Sequence, residues 1–414
     1  MLFYLNYLKG ADMKKLLYFI IPVFIGVVFT FGLNEFLNKE INDLFKSKNL
    51  IPLKNEYASN IKDKGVLLNN ELLTQDDIMM LGSSELAHTI KDQHPTNYFN
   101  TNRSKNNLFT VGRPYDLDLQ QTLTLGSTDY NIKNKKVVML ISMQPFLRKD
   151  GIKPKNFQTL FSPSQFYKFL DNPMISEENK NIMVKRVYNL LRKNEDYLSE
   201  RIYAKLYNND SYLGTIGNIA LYPYFEIRKS MVKLKEKGEL YLKLRTLPNK
   251  ADGVRIGKPI DWKMEENQAI EEAKKRTKGN KYKVDYSYYE FMLKELPKMK
   301  NAYSSIDLLK STELDDYKQF LNICSDLKIK PTIVMLTNAK WYYDYTGLTE
   351  EKRFKLYNTV EKLAEEKGFK VINLKDKETT DYYLRDIMHL GTKGWVDVSE
   401  KIYKEYNQEQ IFNK

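Results

Sequence analysis

Ile78-Met79-Met80-Leu81-Gly82-Ser83-Ser84-Glu85-Leu86 changes character at Gly82. Before the glycine lies an unbroken apolar run, the pattern of a short strand buried on both faces. After it a Gly-Ser-Ser turn leads into residues with helical spacing. Further runs repeat the theme. Leu108-Phe109-Thr110-Val111 ends at Gly112, and Val137-Val138-Met139-Leu140-Ile141 ends at Ser142-Met143-Gln144-Pro145. Thr332-Ile333-Val334-Met335-Leu336 follows an amphipathic stretch from about Glu313 to Lys328 and leads into Thr337-Asn338. Phe369 to Leu374 follows a helical stretch that Thr349 caps and Gly368 ends. Strands that alternate with helices predict an α/β fold with a doubly wound parallel sheet, whose ligands sit at the carboxyl ends of the strands. The polar turns after each strand are therefore where function is expected. Between the third and fourth strands, about 149–310 forms a long, mainly helical insertion with patterns such as Ser176 to Tyr197, expected to cap one side of the site.

Upstream of the first strand, Leu16 to Leu33 reads LLYFIIPVFIGVVFTFGL without a charge. At about 1.5 Å per residue such a helix nearly spans the hydrocarbon core of a bilayer. Lys9, Lys14 and Lys15 precede it against Asp12 alone, whereas Glu35, Lys39, Glu40 and Asp43 follow it. The positive-inside rule then places the bulk of the chain outside. A cleaved signal peptide is the rival reading, but no small-x-small site follows in Asn34-Glu35-Phe36-Leu37-Asn38. A buried helix is a third reading, disfavoured because no face of the segment is polar. The expected organisation is one N-terminal transmembrane helix within 1–37 and an extracellular domain over 38–414.

Composition narrows the partners. The 414 residues contain 66 Lys and Arg against 53 Asp and Glu, a net charge of +13. That excess suits a polyanionic polymer or a phospholipid surface as well as nucleic acid, but no zinc-finger or RNA-binding signature is present, and nucleic acid is not expected. Spread along the chain, the lysines also read as an ordinary solvated surface. Cys324 is the one cysteine, so no intrachain disulfide forms; it falls on an apolar helix face with Tyr317, Phe320 and Leu321 and reads as core.

Ser84, on a strand-to-helix turn after a glycine, is placed to act as a nucleophile and to offer its own N–H to an oxyanion. A serine before a helix is equally the pattern of an N-cap, so the reading needs a base. The chain has three histidines, His88, His94 and His389. His389 lies in Arg385-Asp386-Ile387-Met388-His389-Leu390-Gly391, a loop before the last helical stretch, and Asp386 three residues earlier is spaced to orient its ring. His88 and His94 read more simply as surface or packing residues.

The combination of a Gly-x-Ser after the first strand, a Gly after the second, an amide after the third and Asp-x-x-His before the last helix resembles the SGNH (GDSL-type) hydrolases. That resemblance implies Ser84, Asp386 and His389 as a catalytic triad, with an oxyanion hole made by Ser84, Gly112 and the Gln144 side chain. The sequence departs from the pattern at Ser83, where the family has Asp, and at Ser142-Met143-Gln144-Pro145, where it has Gly-x-Asn-Asp; Asn338 is the alternative amide and a substrate-binding candidate. Longer stretches are similar to the DltD family: Leu81 to Leu86, Gly151-Ile152-Lys153-Pro154 with Phe161-Ser162-Pro163, Ile260-Asp261-Trp262, Lys340-Trp341-Tyr342-Tyr343-Asp344-Tyr345-Thr346-Gly347, and Asp386 to Gly391. Within these, Trp341 is a further substrate-binding candidate.

Membership of that family implies D-alanylation of lipoteichoic acid, a polyglycerol-phosphate polymer, at the outer face of the cell membrane. The D-alanyl group would arrive through the membrane O-acyltransferase of the same operon, and no metal or organic cofactor is implied. A thioesterase or esterase clearing D-alanyl carrier, and a non-catalytic binding module for the same machinery, are the competing expectations.

Overall fold

The computed structural model describes residues 2–407 apart from 88–89, 91, 102, 208–211 and 252–258; within its helices it leaves undescribed the side chains of 2–17, 19, 20, 23, 212–215 and 218. The five expected strands are present: β1 (Ile78–Leu81), β2 (Leu108–Val111), β3 (Lys136–Ile141), β4 (Thr332–Met335) and β5 (Lys370–Asn373). They form one parallel sheet in the order β2-β1-β3-β4-β5. β1, β2 and β4 are buried at every position, and helices cover the faces of a parallel sheet, so apolar runs with no alternation are what such strands require. Register is in step across the sheet: Met80 pairs with Thr110 on one side and with Val138 on the other. The order reverses direction at β1, so the crevice at the carboxyl ends of β1 and β3 is the topological switch point.

The helix Glu350–Glu365 begins at Thr349, whose hydroxyl accepts from Lys352 N–H at 3.4 Å, and the chain turns out of it at Gly368 with φ +71°. The helix Thr312–Asp326 buries Tyr317, Phe320, Leu321 and Cys324 on one face. One helical stretch is interrupted. Ser176 caps Glu177–Leu191, but Asn194 then adopts an extended backbone and its side chain accepts from Asp196 N–H, starting a separate turn at Glu195–Tyr197. A side chain that offers the backbone a local partner competes with continuing the helix.

The chain divides into two compact units. One comprises Leu50–Val232 and Asp252–Lys414 and holds the sheet. The other comprises Met1–Asn49 with Lys233–Ala251, so part of the insertion sides with the N-terminal helix rather than forming one cap as expected. Inside this second unit Phe36 meets Tyr241 edge-on at 5.9 Å, and Asn49 N–H donates to Pro248 O at 2.9 Å. The expected anchor, Leu16 to Leu33, lies in the helix Leu2–Ser47, and the side chains of Leu16, Leu17, Phe19, Ile20 and Val23 lie outside the described residues. Among the described residues no helix is long and apolar enough to cross a membrane.

Candidate active site

Ser84 opens a single 3-10 turn, Ser84–Leu86, directly beyond β1. The turn is tied down from two directions. Ser83 N–H donates to Glu85 Oε1 at 2.7 Å, and Ser83 Oγ donates to Arg113 O at 3.2 Å. Ser83, where the resembling hydrolases carry Asp, thus joins the ends of β1 and β2.

His389 comes from the other end of the chain in a loop closed by an antiparallel bridge between Leu384 and Leu390, with Arg385 N–H donating to His389 O at 2.9 Å. Within it, Asp386 Oδ1 accepts from the backbone of Met388 at 2.9 Å and of His389 at 2.8 Å. Asp386 Oδ2 lies 2.7 Å from His389 Nδ1, and His389 Nε2 lies 2.9 Å from Ser84 Oγ. The contacts define one tautomer: an aspartate beside Nδ1 keeps the proton there, leaving Nε2 to accept from the serine hydroxyl. Burial by itself would lower the His389 pKa, but the bond to Asp386 and its charge, helped by Glu85, raise it above its ordinary value. Burial would raise Asp386, yet His389 and the two N–H donors hold it below the ordinary carboxylate range.

The His389 loop is buttressed by residues that sequence reading missed. Asp285 N–H donates to Arg385 O at 2.8 Å, Arg276 pairs with the Asp285 carboxylate at 2.6 Å, and Ala339 N–H donates to Ile387 O at 2.9 Å. Asp285 and Arg276 lie in the insertion, whose sequence carries no signal for this pairing. Ser84 and His389 open into a cavity of about 270 Å³, lined also by Glu85, Tyr115, Ser142, Gln144, Arg148, Lys153 and Asn156.

Two expectations, for Gly112 and for Asn338, need correction, and Trp341 borders a different cavity. Gly112, expected to offer an oxyanion donor, instead donates its N–H to Asp63 Oδ1 at 3.0 Å and does not line the cavity. Its φ is +142°, and a Cβ there would lie 1.8 Å from Gly82 O. Glycine is needed because the turns after β1 and β2 touch. Asp63, at the end of the short helix Asn60–Asp63, also receives Arg113 Nε at 2.7 Å. Asn338 is buried and donates to Tyr357 OH at 2.6 Å, away from the cavity. Trp341 stacks on Tyr282 at 3.9 Å beside a separate cavity of about 370 Å³. Both follow β4, one sheet position further from the switch point than β3.

Gln144 does line the Ser84 cavity, its Nε2 donating to Tyr343 OH at 3.4 Å, so of the three residues expected to form an oxyanion hole Ser84 and Gln144 border the cavity and Gly112 does not. His94 is buried, accepts from Thr96 N–H and packs on Trp395, as a packing residue would; His88 lies outside the described residues. Among the described residues no group of His, Cys, Asp and Glu is arranged to hold a metal ion.

The family model described as DltD protein matches residues 54–407. Protein DltD of Bacillus subtilis (strain 168) is 27% identical to this chain over 354 residues, which cover 84% of this chain and 87% of that protein. Protein DltD of Staphylococcus aureus (strain NCTC 8325 / PS 47) is 25% identical over 355 residues, 84% of this chain and 85% of that protein.

Proposed function

The chain belongs to the DltD family, and from that premise we propose that it is a serine acyltransferase that moves D-alanyl groups onto lipoteichoic acid at the outer face of the membrane. The observation that carries this reading is the unbroken relay from Ser84 Oγ through His389 to Asp386, opening into a cavity. In the first half-reaction His389 Nε2 takes the Ser84 proton as Oγ bonds to the carbonyl carbon of an activated D-alanyl group. The bond to the donor's leaving atom breaks, and His389 returns the proton to it. In the second, a hydroxyl of the polymer gives its proton to His389 and bonds to the same carbon. The bond to Oγ breaks and Ser84 regains its proton. Ser84 N–H and the Gln144 amide serve the negative oxygen in both steps. Asp386 stabilises the imidazolium between them.

Transfer rather than hydrolysis requires the acceptor to be held close. Arg148 and Lys153, which line the cavity, supply charge for a phosphate-linked polymer. For the location, the support is the uncharged Leu16 to Leu33 segment, in which Phe24, Ile25, Phe29 and Phe31 are each 60–68% exposed, with no protein packing against most of their surface. Protease added to intact protoplasts should digest the domain after this segment; complete protection would reverse the orientation.

The chemistry is tested with a serine-directed fluorophosphonate and a D-alanyl thioester. Wild-type protein should be labelled covalently and should form a D-alanyl ester that lipoteichoic acid discharges, whereas Ser84→Ala should do neither. Labelling that persists in Ser84→Ala would overturn the assignment. A D-alanyl ester discharged by water alone, with no response to polymer, would favour the esterase reading.

A further inference from the structure

A D-alanyl group differs from an ordinary short acyl chain by the ammonium on the carbon next to its carbonyl. When the carbonyl carbon is on Ser84, that charge lies inside the cavity and needs a partner, since an unpaired cation out of water is strongly disfavoured. Most lining groups cannot provide one. Arg148 and Lys153 carry the same sign. Asp386 does not line this cavity, and it already accepts from the Met388 and His389 backbone and faces the His389 ring.

Glu85 is different. It lines the cavity beside Ser84, is only 5% exposed, and uses Oε1 to accept from Ser83 N–H, while its Oε2, closed off from solvent behind that lining, has no hydrogen-bond partner among the described residues. We infer that Glu85 recognises the ammonium of the acyl group through Oε2, making it a specificity-determining residue for aminoacyl over neutral acyl substrates. The inference rests on the reading of Ser84 as an acyl acceptor.

Its surroundings fit the role. Asp116, buried, interacts electrostatically with both Glu85 and Asp63, and the Arg113 charge opposes their effect on it. Buried acids thus cluster behind Glu85, while Arg148 and Lys153 are the cations that line the cavity. Burial raises the Glu85 pKa, against the backbone donors of the turn and His389. A cation arriving beside it favours the ionised form. The division of labour is between one oxygen that caps the nucleophile turn and another that meets substrate.

Glu85→Gln separates the two, because the amide oxygen can still accept from Ser83 N–H but carries no charge. Full-length protein would be assayed with D-alanyl and D-lactoyl thioesters of N-acetylcysteamine, which differ in ammonium against hydroxyl, each rate divided by its uncatalysed hydrolysis. Wild-type protein should favour D-alanyl in kcat/KM, and Glu85→Gln should cut that preference by about tenfold or more, chiefly through KM. Fluorophosphonate labelling of Ser84 reports that the variant's site is intact. If Glu85→Gln does not fold, the wild-type preference decides. Acylation of wild type without preference, or an unchanged preference in a folded Glu85→Gln, overturns the role of Glu85 alone. No acylation by either thioester overturns the acyltransferase reading together with it.

Discussion

In the proposed mechanism the Ser84 hydroxyl has a base only while His389 Nε2 is neutral, so the protonation of one imidazole would govern the first step. Burial opposes the charged ring, but the Asp386 bond and charge outweigh it and lift the pKa above the ordinary value of 6.5. A lifted pKa extends the protonated, inactive form to higher pH. The acid limb of kcat/KM should therefore climb through a midpoint above 6.5. Asp386→Asn removes the charge and the preference for a proton on Nδ1. It should cost about 10⁴-fold in rate and move what remains of the limb to lower pH. A wild-type midpoint at or below the ordinary value, measured by thioester hydrolysis across pH, would contradict the geometry.

Elements hold these residues through a few contacts whose loss should be large. The β1 and β2 turns meet where Gly112 passes Gly82 O, and a methyl at 1.8 Å cannot be absorbed while both strands keep register. Gly112→Ala should cost about 3 kcal/mol or more in urea unfolding, from overpacking and from the left-handed backbone. Behind β4, Arg353 is fully buried and donates to both Glu378 oxygens at 2.8 and 2.7 Å and to Asp344 Oδ1 at 2.7 Å. It clamps the helix Glu350–Glu365 to the segment that leads toward His389. Arg353→Ala leaves Glu378 buried and unpaired and should destabilise by about 3–5 kcal/mol. Lys318→Ala, which removes an exposed pair with Asp315, should leave the unfolding midpoint unchanged and serves as the control.

For the whole molecule the excess of 13 positive charges matters only where it is concentrated, because exposed charges are screened over about 8 Å at physiological ionic strength. Arg148 and Lys153 place two of the cations at the cavity holding Ser84 and His389. Binding of the purified protein to lipoteichoic acid should fall steeply with salt, and a combined Arg148→Ser and Lys153→Ser variant should bind more weakly and lose part of the salt dependence. Affinity indifferent to salt would make the lysines a solvated surface and nothing more.

Ile78–Leu81, Leu108–Val111 and Thr332–Met335 were legible because a strand buried on both faces must be apolar throughout, and that demand is written locally. So was Asp386 beside His389, since a loop of three residues brings a carboxylate to its own imidazole. The polar turns after the strands could be named together as the place of the site because parallel strands present their carboxyl ends on one edge. What no local pattern carried is which distant group meets which. Asp63 captures the Gly112 N–H, Asp285 supports Arg385, and Asn338 turns into the core toward Tyr357. Each of these pairings depends on the strand order, which sets residues far apart in sequence side by side, and on a hydrogen bond that any of several similar side chains could have made. Periodicity records whether a residue faces inward; only the packed sheet decides whom it finds there.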